Sequence, residues 1–216
     1  MSSRRPRILI ADDHKLMAEL CQKILESEFD VVGTVVNGRE LLRTAVKVEP
    51  DVVLLDIGMP VLNGLDAGKQ LRNLLPTVKL IYVTMVTDPQ VALEALHRGA
   101  SGFLLKTCAA DELVSAVRAA LRGNLYLSPD LKEKISLLRR RQNYECIVGG
   151  ENPLTERQRE VLQLLAEGKA MKEIGDILDV STKTVAFHKY RIMEMLGAKN
   201  NAELVRYAIR NHMLVA

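Results

Sequence analysis

The sequence predicts a doubly wound α/β domain with a five-stranded parallel sheet, followed by a smaller all-α domain of four helices. In the first half, short apolar runs alternate with helical patterns, which is typical of a parallel sheet with helices on both faces. The second half has helical patterns only. With 216 residues, 48% of them hydrophobic, the chain can form two domains with separate cores.

The predicted strands are continuous apolar runs, as expected for strands buried on both faces. The clearest runs are Ile8-Leu9-Ile10-Ala11, Val52-Val53-Leu54-Leu55, Leu80-Ile81-Tyr82-Val83 and Gly102-Phe103-Leu104-Leu105. Apolar residues at helical spacing lie between them, as in Leu16, Leu20 and Ile24, and a similar stripe follows the last run at Leu113, Val114, Val117 and Leu121. This alternation predicts the doubly wound topology.

Polar residues follow the ends of four of these runs. They are Asp12, Asp13, Asp56, Thr84 and Lys106. In doubly wound sheets, ligands bind at the carboxyl ends of the strands, so these side chains should converge at one edge. A single Asp or Lys at a strand end is usually a solvated terminus, but the joint pattern is far more specific.

The chemistry of this set favours phosphoryl transfer. Three neighbouring carboxylates repel one another, and a hard cation such as Mg²⁺, which binds carboxylate and phosphate oxygens, would relieve the repulsion. Asp56 is the predicted nucleophile, because carboxylates form aspartyl-phosphate intermediates. Lys106 and Thr84 would then provide a charge and a hydroxyl donor for the phosphoryl oxygens.

With these residues in place, residues 7–122 resemble a CheY-like receiver domain of a two-component response regulator. The resemblance implies that Asp56 is the phosphoacceptor, and that Asp12, Asp13, Asp56 and the carbonyl of Gly58 hold Mg²⁺. It also assigns Thr84 and Phe103 to the conformational switch that follows phosphorylation. A buried core aromatic is the alternative reading of Phe103, and the two readings are compatible.

Composition restricts the class of protein. No apolar stretch approaches the roughly 20 residues of a membrane span, and the first residues lack the apolar segment of a signal peptide, so we expect a cytoplasmic protein without a membrane partner. Three widely spaced cysteines support neither a disulfide framework nor a zinc site. The four histidines, His14, His97, His188 and His212, are also scattered, which favours surface or structural roles.

Residues 123–150 are predicted to link the two domains. Leu131, Ile135 and Leu138 have helical spacing after Ser128-Pro129, so the linker should contain one helix. Arg139 to Arg141 favour a solvated helix end over a contact with DNA phosphates. Gly149 to Pro153 should form a flexible connection.

Residues 151–216 contain residues that typically begin and end helices, in a pattern that predicts four helices. Thr155 and Gln158 form a capping box, and Gly168 would end that first helix. After a short second helix, Ser181 would cap a third that runs to Gly197, and a final helix begins near Asn201. The second and third helices, joined by a tight turn, resemble a helix-turn-helix.

The third helix has two distinct stripes. Val185, His188, Ile192 and Leu196 form the stripe that should pack, whereas the opposite stripe consists of Lys183, Phe187, Tyr190 and Glu194. In a helix-turn-helix, the recognition helix enters the major groove of double-stranded DNA. A three-helix protein-binding module could share the same pattern.

Residues 153 to about 213 also resemble the LuxR-type DNA-binding domain. The matching motifs are Leu154-Thr155-Glu156-Arg157, Lys172-Glu173-Ile174, Ser181-Thr182-Lys183-Thr184-Val185, His188 and Met195-Leu196-Gly197. A receiver followed by this domain is the layout of NarL/FixJ-type response regulators. The resemblance implies a transcription regulator that is not primarily an enzyme, with a histidine kinase and promoter DNA as partners and a homodimer as the binding form.

The DNA-contacting surface departs from many relatives, which carry Lys just after the Thr-Val pair where this chain has Ala186. Ala186 and Phe187 can contact thymine methyl groups and Tyr190 can donate one hydrogen bond, which predicts a methyl-biased readout. The full predicted DNA-binding set is Lys183, Thr184, Ala186, Phe187, His188, Lys189, Tyr190 and Arg191.

Two routes from phosphorylation to DNA binding are open at this stage. Phosphorylation can pair the receivers, or it can release a masked recognition helix. The alternative function is a phosphoryl sink or sequestering protein whose C-terminal domain binds protein instead of DNA.

Overall fold

The computed structural model describes residues 4–141 and 153–214, with the side chains of residues 138–141 outside the described part. One parallel sheet has the strand order β2-β1-β3-β4-β5-β6. Its strands are β1 (Arg7–Ala11), β2 (Asp30–Val35), β3 (Val52–Leu55), β4 (Lys79–Thr84), β5 (Gly102–Leu105) and β6 (Tyr126–Leu127). Its helices are α1 (Lys15–Leu25), α2 (Gly38–Val48), α3 (Gly64–Leu74), α4 (Pro89–His97), α5 (Ala110–Leu121) and α6 (Pro129–Arg141). The predicted α/β class is confirmed.

The sheet has six strands where the sequence predicted five. The additional strand, β6, pairs in parallel with β5 through the registers Gly102↔Tyr126 and Phe103↔Leu127. It comes from the segment that was predicted as linker. Two residues are too short a run to show a strand pattern in the sequence, and the pairing is set by the neighbouring edge of β5.

Each strand contributes to two cores, one on either face of the sheet. In β3, Val53 and Leu55 belong to one cluster of buried side chains, whereas Val52 and Leu54 belong to the cluster on the opposite face. Since helices cover both faces, every residue of β3 is buried. This two-sided burial is the physical reason that the strands read as continuous apolar runs.

The helix predicted between the domains is α6. Leu131 and Ile135 are buried and pack with the core cluster on one face of the sheet. The side chains of Leu138 and of Arg139 to Arg141 lie outside the described residues, as do Gly149 to Asn152. The beginning of α6 is therefore part of the N-terminal core, so we use "N-terminal domain" for the body from β1 to α6.

The C-terminal domain consists of α7 (Glu156–Ala166), α8 (Met171–Leu178), α9 (Thr182–Leu196) and α10 (Asn201–Arg210). The predicted capping box is confirmed, with Thr155 accepting from the Gln158 amide and the Gln158 side chain accepting from the Thr155 amide. Ser181 caps α9, which ends at Gly197 with a φ of 64°. The four predicted helices are present.

The two domains meet where α7 lies against the loop between β3 and α3. Gln163 of α7 is completely buried in this contact, and its side chain accepts a hydrogen bond from the amide of Asn63 at 2.8 Å. None of the helices in the described part of the chain combines the length and the apolar character needed to cross a bilayer.

Candidate functional site

The acidic residues meet at the carboxyl edge of the sheet because β1 and β3 are neighbours. Ala11 and Leu55 are register partners, and the Asp56 amide donates to the Ala11 carbonyl at 2.9 Å. The next residues along these two strands, Asp12 and Asp56, are only 5% and 4% exposed. The predicted convergence of two strand ends therefore places two carboxylates side by side in a nearly buried site.

Lys106, which follows β5, reaches across to both carboxylates. Its ammonium group donates to Asp56 at 2.8 Å and to Asp12 at 2.9 Å. Burial alone would lower the pKa of Lys106, but the hydrogen bonds and charges of the two carboxylates outweigh burial and raise it. Burial raises the pKa of Asp12, although the Lys106 contact opposes that shift. Lys106 thus carries its charge in this site and balances the carboxylates.

His14 is the site residue that the sequence analysis missed. Its Nδ1 lies 3.0 Å from Asp13 and 3.3 Å from Asp12, and also 3.4 Å from the Lys106 ammonium. Its position directly after Asp12-Asp13 in the sequence could have indicated that it belongs to the site. In the structure, the amide of His14 donates to the Asp12 carboxylate at 2.8 Å. The ring is nevertheless two-thirds exposed.

The donor set fits a divalent cation. Asp12, Asp13, His14 and Asp56 each place one ligand atom within 4.8 Å of the others. Three of the four donors are carboxylate oxygens, which favour a hard ion that retains part of its water shell. Gly58, whose carbonyl was predicted as a further ligand, is half-buried two residues after Asp56.

The two predicted switch residues lie on neighbouring strands, Thr84 at the end of β4 and Phe103 within β5. Thr84 is 1% exposed at the end of β4, and its hydroxyl accepts from the Val86 amide at 3.2 Å. The amide of Lys106 donates to the Thr84 carbonyl at 2.9 Å, which joins the ends of β4 and β5. Phe103 is completely buried, with its ring centre 6.1 Å from that of Tyr82. The structure therefore gathers Thr84 and Lys106 at one edge and keeps Phe103 in the core.

The C-terminal domain exposes the outer stripe of α9. Phe187 and Tyr190 are 62% and 68% exposed, whereas Val185 and Ile192 on the opposite stripe are completely buried. His188 is half-buried with its ring edge-on to Phe187. Burial, together with the nearby Arg157, lowers the pKa of His188, so its ring is neutral at pH 7. The division between packing and exposed stripes is confirmed for these residues.

The other predicted DNA-contacting residues differ in whether their polar atoms already have hydrogen-bond partners within the domain. Thr184 shares a 2.9 Å hydrogen bond with Ser181 at the helix cap, and Arg191 pairs with Glu194 at 2.8 Å. Lys183 is exposed at the N-terminal end of α9. Ala186 and Lys189 are half-buried.

Comparison with family models divides the chain in the same way. Residues 8–118 match the response regulator receiver domain. Residues 152–208 match the luxR family of bacterial regulatory proteins. The acidic cluster lies within the first match, and α9 lies within the second.

Curated relatives extend over nearly the whole chain. The transcriptional regulatory protein LiaR of Bacillus subtilis is 36% identical, covering 96% of this chain and 99% of LiaR. The oxygen regulatory protein NreC of Staphylococcus carnosus is 33% identical, covering 96% of this chain and 99% of NreC. Both similarities include the two domains and the segment between them.

Solved structures similar to this chain include DNA complexes. A LuxR-family response regulator from Aurantimonas sp. is 30% identical over 63% of this chain and 99% of that one, with a TM-score of 0.61. RcsB in its DNA complex is 26% identical over 94% of this chain and 98% of that one, with a TM-score of 0.60. A further structure holds two RcsB dimers on two parallel DNAs, with a TM-score of 0.58.

Proposed function

Because this chain belongs to the two-component response regulators with a receiver domain and a LuxR-type DNA-binding domain, we propose that Asp56 is its phosphoacceptor and α9 its DNA-reading helix. The observation that carries the proposal is the position of Lys106, whose ammonium group bridges Asp56 and Asp12 at the carboxyl edge of the sheet. This geometry leaves a nucleophilic carboxylate beside a fixed positive charge. The domain division that we propose keeps 7–122 as the receiver and 151–216 as the DNA-binding domain, while β6 and the start of α6, within the predicted linker 123–150, belong to the N-terminal core.

The transfer step uses groups that are already in place. An oxygen of Asp56 attacks the phosphorus of a phosphohistidine on a partner kinase, so that an acyl-phosphate bond forms and the phosphorus–nitrogen bond breaks, leaving the imidazole with the kinase. Lys106 stays within reach of the new phosphoryl oxygens and offsets their negative charge. The reaction phosphorylates the chain at one residue, and the phosphorylated receiver then controls the DNA-binding domain.

We assign Mg²⁺ to the carboxylate cluster, held by Asp12, Asp13, Asp56 and the carbonyl of Gly58. When bound, this ion neutralises charge on the transferred phosphoryl group. The carboxylates of Asp12 and Asp56 have only Lys106 as a close buried counter-charge among the described residues, which supports the need for a second cation. His14 gives the exposed side of the cluster an imidazole.

The switch is assigned to Thr84 and Phe103. The hydroxyl of Thr84 accepts from the Val86 amide and keeps its own proton, which it can donate to a phosphoryl oxygen by moving toward Asp56. That movement would vacate space behind β4, toward which the buried ring of Phe103 can rotate. Since interiors are close-packed, the two side chains have discrete arrangements, which suits a two-state element.

We assign promoter binding to α9, with Lys183, Lys189 and Arg191 on phosphates and with Ala186, Phe187 and Tyr190 nearer the bases. Thr184 and His188 complete the predicted surface, Thr184 chiefly as part of the helix cap. The proposed binding form is a homodimer on adjacent half-sites. This is supported by RcsB, which is bound to DNA as dimers in a similar structure. The proposed location is the cytoplasm.

The experiment is phosphorylation of the full chain with acetyl phosphate and Mg²⁺, followed by phosphate-affinity electrophoresis. Asp56→Asn should abolish the shifted band, because an amide is not a nucleophile for this step. Asp111→Asn, an exposed carboxylate in the first turn of α5, is the matched control and should label normally. Persistent labelling of Asp56→Asn would refute the assignment of the phosphoacceptor.

A further inference from the structure

The side chain of His14 has no evident part in folding. His14 is the N-cap residue of α1, yet its side chain makes no capping hydrogen bond. Ser, Thr, Asp and Asn usually occupy this position, because their side chains accept from the first amides of a helix. The imidazole is also two-thirds exposed, so packing in a core does not account for its position. Its polar contacts are instead with Asp12, Asp13 and Lys106 of the acidic site.

The Nδ1 atom of His14 faces both members of the aspartate pair. It lies 3.0 Å from Oδ1 of Asp13 and 3.3 Å from Oδ1 of Asp12. Two donor atoms that bind one metal ion at about 2.1 Å, at right angles to each other, lie about 3 Å apart. The imidazole nitrogen and the two carboxylate oxygens therefore have the spacing of neighbouring ligands of one ion.

The local backbone fixes the position of His14. Its amide donates to Oδ1 of Asp12 at 2.8 Å, a turn in which an aspartate side chain accepts from the backbone two residues later. The next residue, Lys15, begins α1, so His14 is held between the end of β1 and the start of this helix. Because the turn is made by the backbone amide, it does not use the nitrogen atoms of the ring.

A positive charge already lies among these donors. The ammonium group of Lys106 is 2.8 Å from Asp56, 2.9 Å from Asp12 and 3.4 Å from Nδ1 of His14. An ammonium group only donates, so the imidazole nitrogen acts as the acceptor in this contact. The space between the carboxylates and the imidazole therefore favours a cation.

The donor types of the site distinguish Mg²⁺ from the transition metals. Mg²⁺ prefers oxygen ligands and keeps part of its water shell, so it gains little from an imidazole. First-row divalent transition metals bind imidazole well, and their affinity for a given site of nitrogen and oxygen ligands rises from Mn²⁺ to Co²⁺ and Ni²⁺. A site with three carboxylates and one imidazole should therefore discriminate between the two classes of ion.

We propose that His14 is a further ligand of the cation at this site, and that it makes the site bind first-row transition-metal ions more tightly than Mg²⁺. Mg²⁺ uses the oxygen ligands assigned above, whereas a transition-metal ion binds the imidazole in addition. The inference rests on the proposed function, because it takes the carboxylates to be the cation site of a receiver. Phosphorylation of Asp56 is then supported by a transition-metal ion at a lower concentration than by Mg²⁺.

Two other histidines show what a matched control requires. His97 lies on α4, where its Nδ1 is 2.8 Å from the carbonyl of Leu93. His212 pairs with Asp88. Within the described residues, the cluster whose possible metal-binding atoms converge contains His14 and neither of these two. Substitution of His97 therefore removes an imidazole without changing the proposed site.

The first test measures the affinity of the unphosphorylated full chain for Co²⁺ alone and for Mg²⁺ alone by isothermal titration calorimetry. His14→Ala should weaken the binding of Co²⁺ about tenfold and that of Mg²⁺ less than about twofold, since only Co²⁺ loses a ligand. His14→Ser should give the same result, and because Ser is a favourable N-cap, a weakened start of α1 would not be the cause. His97→Ala is the control and should leave both affinities unchanged. Unchanged affinity for Co²⁺ in His14→Ala, or an equal loss for both ions, would overturn the proposal.

The second test detects the ligand directly. Pulsed electron paramagnetic resonance of the full chain with Mn²⁺ alone should show a coupling to the nitrogen of a directly bound imidazole. This coupling should be lost in His14→Ser and kept in His97→Ala. Bound Mn²⁺ without a nitrogen coupling in the unmodified chain would overturn the assignment of His14 as a ligand.

Failure of this inference is distinguishable from failure of the proposed function. Asp56→Asn replaces a carboxylate ligand by a neutral amide, so it should weaken the binding of both Co²⁺ and Mg²⁺. If Asp56→Asn left both affinities unchanged, the cation site of the proposed function would be refuted. If both affinities depended on Asp56 and neither depended on His14, only the role of His14 would be refuted.

Discussion

The ammonium group of Lys106 lies 2.8 Å from Oδ2 of Asp56, and both side chains are about 95% removed from solvent. The two residues are joined because β5 and β3 both end at the same edge of the sheet. A buried lysine carries its charge only when carboxylates compensate for lost hydration. In the absence of a phosphoryl group, Lys106 and Asp56 therefore stabilise each other.

Lys106→Gln should reduce the free energy of unfolding by about 1–3 kcal/mol, because Asp12 and Asp56 lose their buried counter-charge. Mg²⁺ should restore part of this loss, since a cation that binds the folded state raises its stability. Thermal melts with and without Mg²⁺ measure both effects. Lys23→Gln, an exposed position on α1, should stay within about 0.5 kcal/mol. If Mg²⁺ stabilised neither Lys106→Gln nor the unmodified chain, the cation site would be contradicted.

Gly64→Ala should destabilise the fold by about 1–3 kcal/mol, because the new methyl group would lie 2.0 Å from the Asp56 carbonyl oxygen and the backbone must shift. Gly33→Ala in β2 is the matched control, since its nearest neighbour is a Leu9 methyl at 3.5 Å, an ordinary contact. Chemical denaturation of both variants tests the difference. Equal midpoints would show that the loop between β3 and α3 has more freedom than the structure indicates.

Local signals in the sequence predicted much of the fold and of the acidic site. The strand-end positions of Asp12, Asp56 and Lys106 depend only on burial of the strands and parallel topology, so their convergence could be predicted. The caps at Thr155 and Ser181 are likewise local, because each side chain bonds an amide three residues away.

The remaining features depend on tertiary partners. Tyr126–Leu127 becomes a strand only through the exposed edge of β5. Gln163 lies on a polar side of α7 that has the pattern of a solvated face, and nothing within α7 distinguishes it from an exposed glutamine. Its burial depends on Asn63, which is 100 residues away in the chain.

Leu131→Ala should cost about 2–5 kcal/mol of stability, because Leu131 is completely buried and α6 packs on the N-terminal core. Leu137→Ala on the same helix should cost less than about 0.5 kcal/mol, since Leu137 is 44% exposed. Urea unfolding of the two variants provides the comparison. Similar small effects would mean that α6 is a connection and not a part of the core.

The buried ion pair between Asp66 of α3 and Arg159 of α7 should make stability depend on pH in the acid range. Since the pKa of Asp66 is lowered in the folded state, its contribution is fully present above the ordinary value of 3.8 and is lost as the pH falls toward the folded value. Asp66→Asn removes this contribution, so its stability deficit should shrink as the pH falls below 3.8. Denaturant unfolding from about pH 3 to pH 6 measures the trend.

Asp12 provides a control of opposite sign. Burial raises its pKa, so the folded state binds a proton more readily than the unfolded state, and its contribution decreases as the pH rises through the range above 3.8. The stability of Asp12→Asn relative to the unmodified chain should therefore improve over that range. The same trend in both variants would contradict the assigned shifts.

The exposed stripe of α9 should read thymine methyl groups more than it reads guanine. Phe187→Ala should lower affinity for the preferred site by about 1–3 kcal/mol and relax the preference at one position, because Phe187 is the largest exposed apolar group near the N-terminal half of α9. Lys183→Ala should weaken binding to all sequences and reduce the salt dependence by about one phosphate contact. Selection from random DNA, with the phosphorylated and unphosphorylated chain, measures the preference.

The control for charge is Arg206→Ala, which removes a positive charge from an exposed position on α10, and it should preserve the selected sequence. The distinction between Phe187 and Lys183 is informative because the two contacts respond differently to salt. A contact with a phosphate releases counterions, so the affinity that it provides falls as the salt concentration rises. The affinity provided by an apolar contact does not depend on counterion release. If selection returned guanine-rich sites that depend on Lys183 or Lys189 and tolerate Phe187→Ala, the lysines would be the base readers. The methyl-biased assignment of α9 would then be wrong.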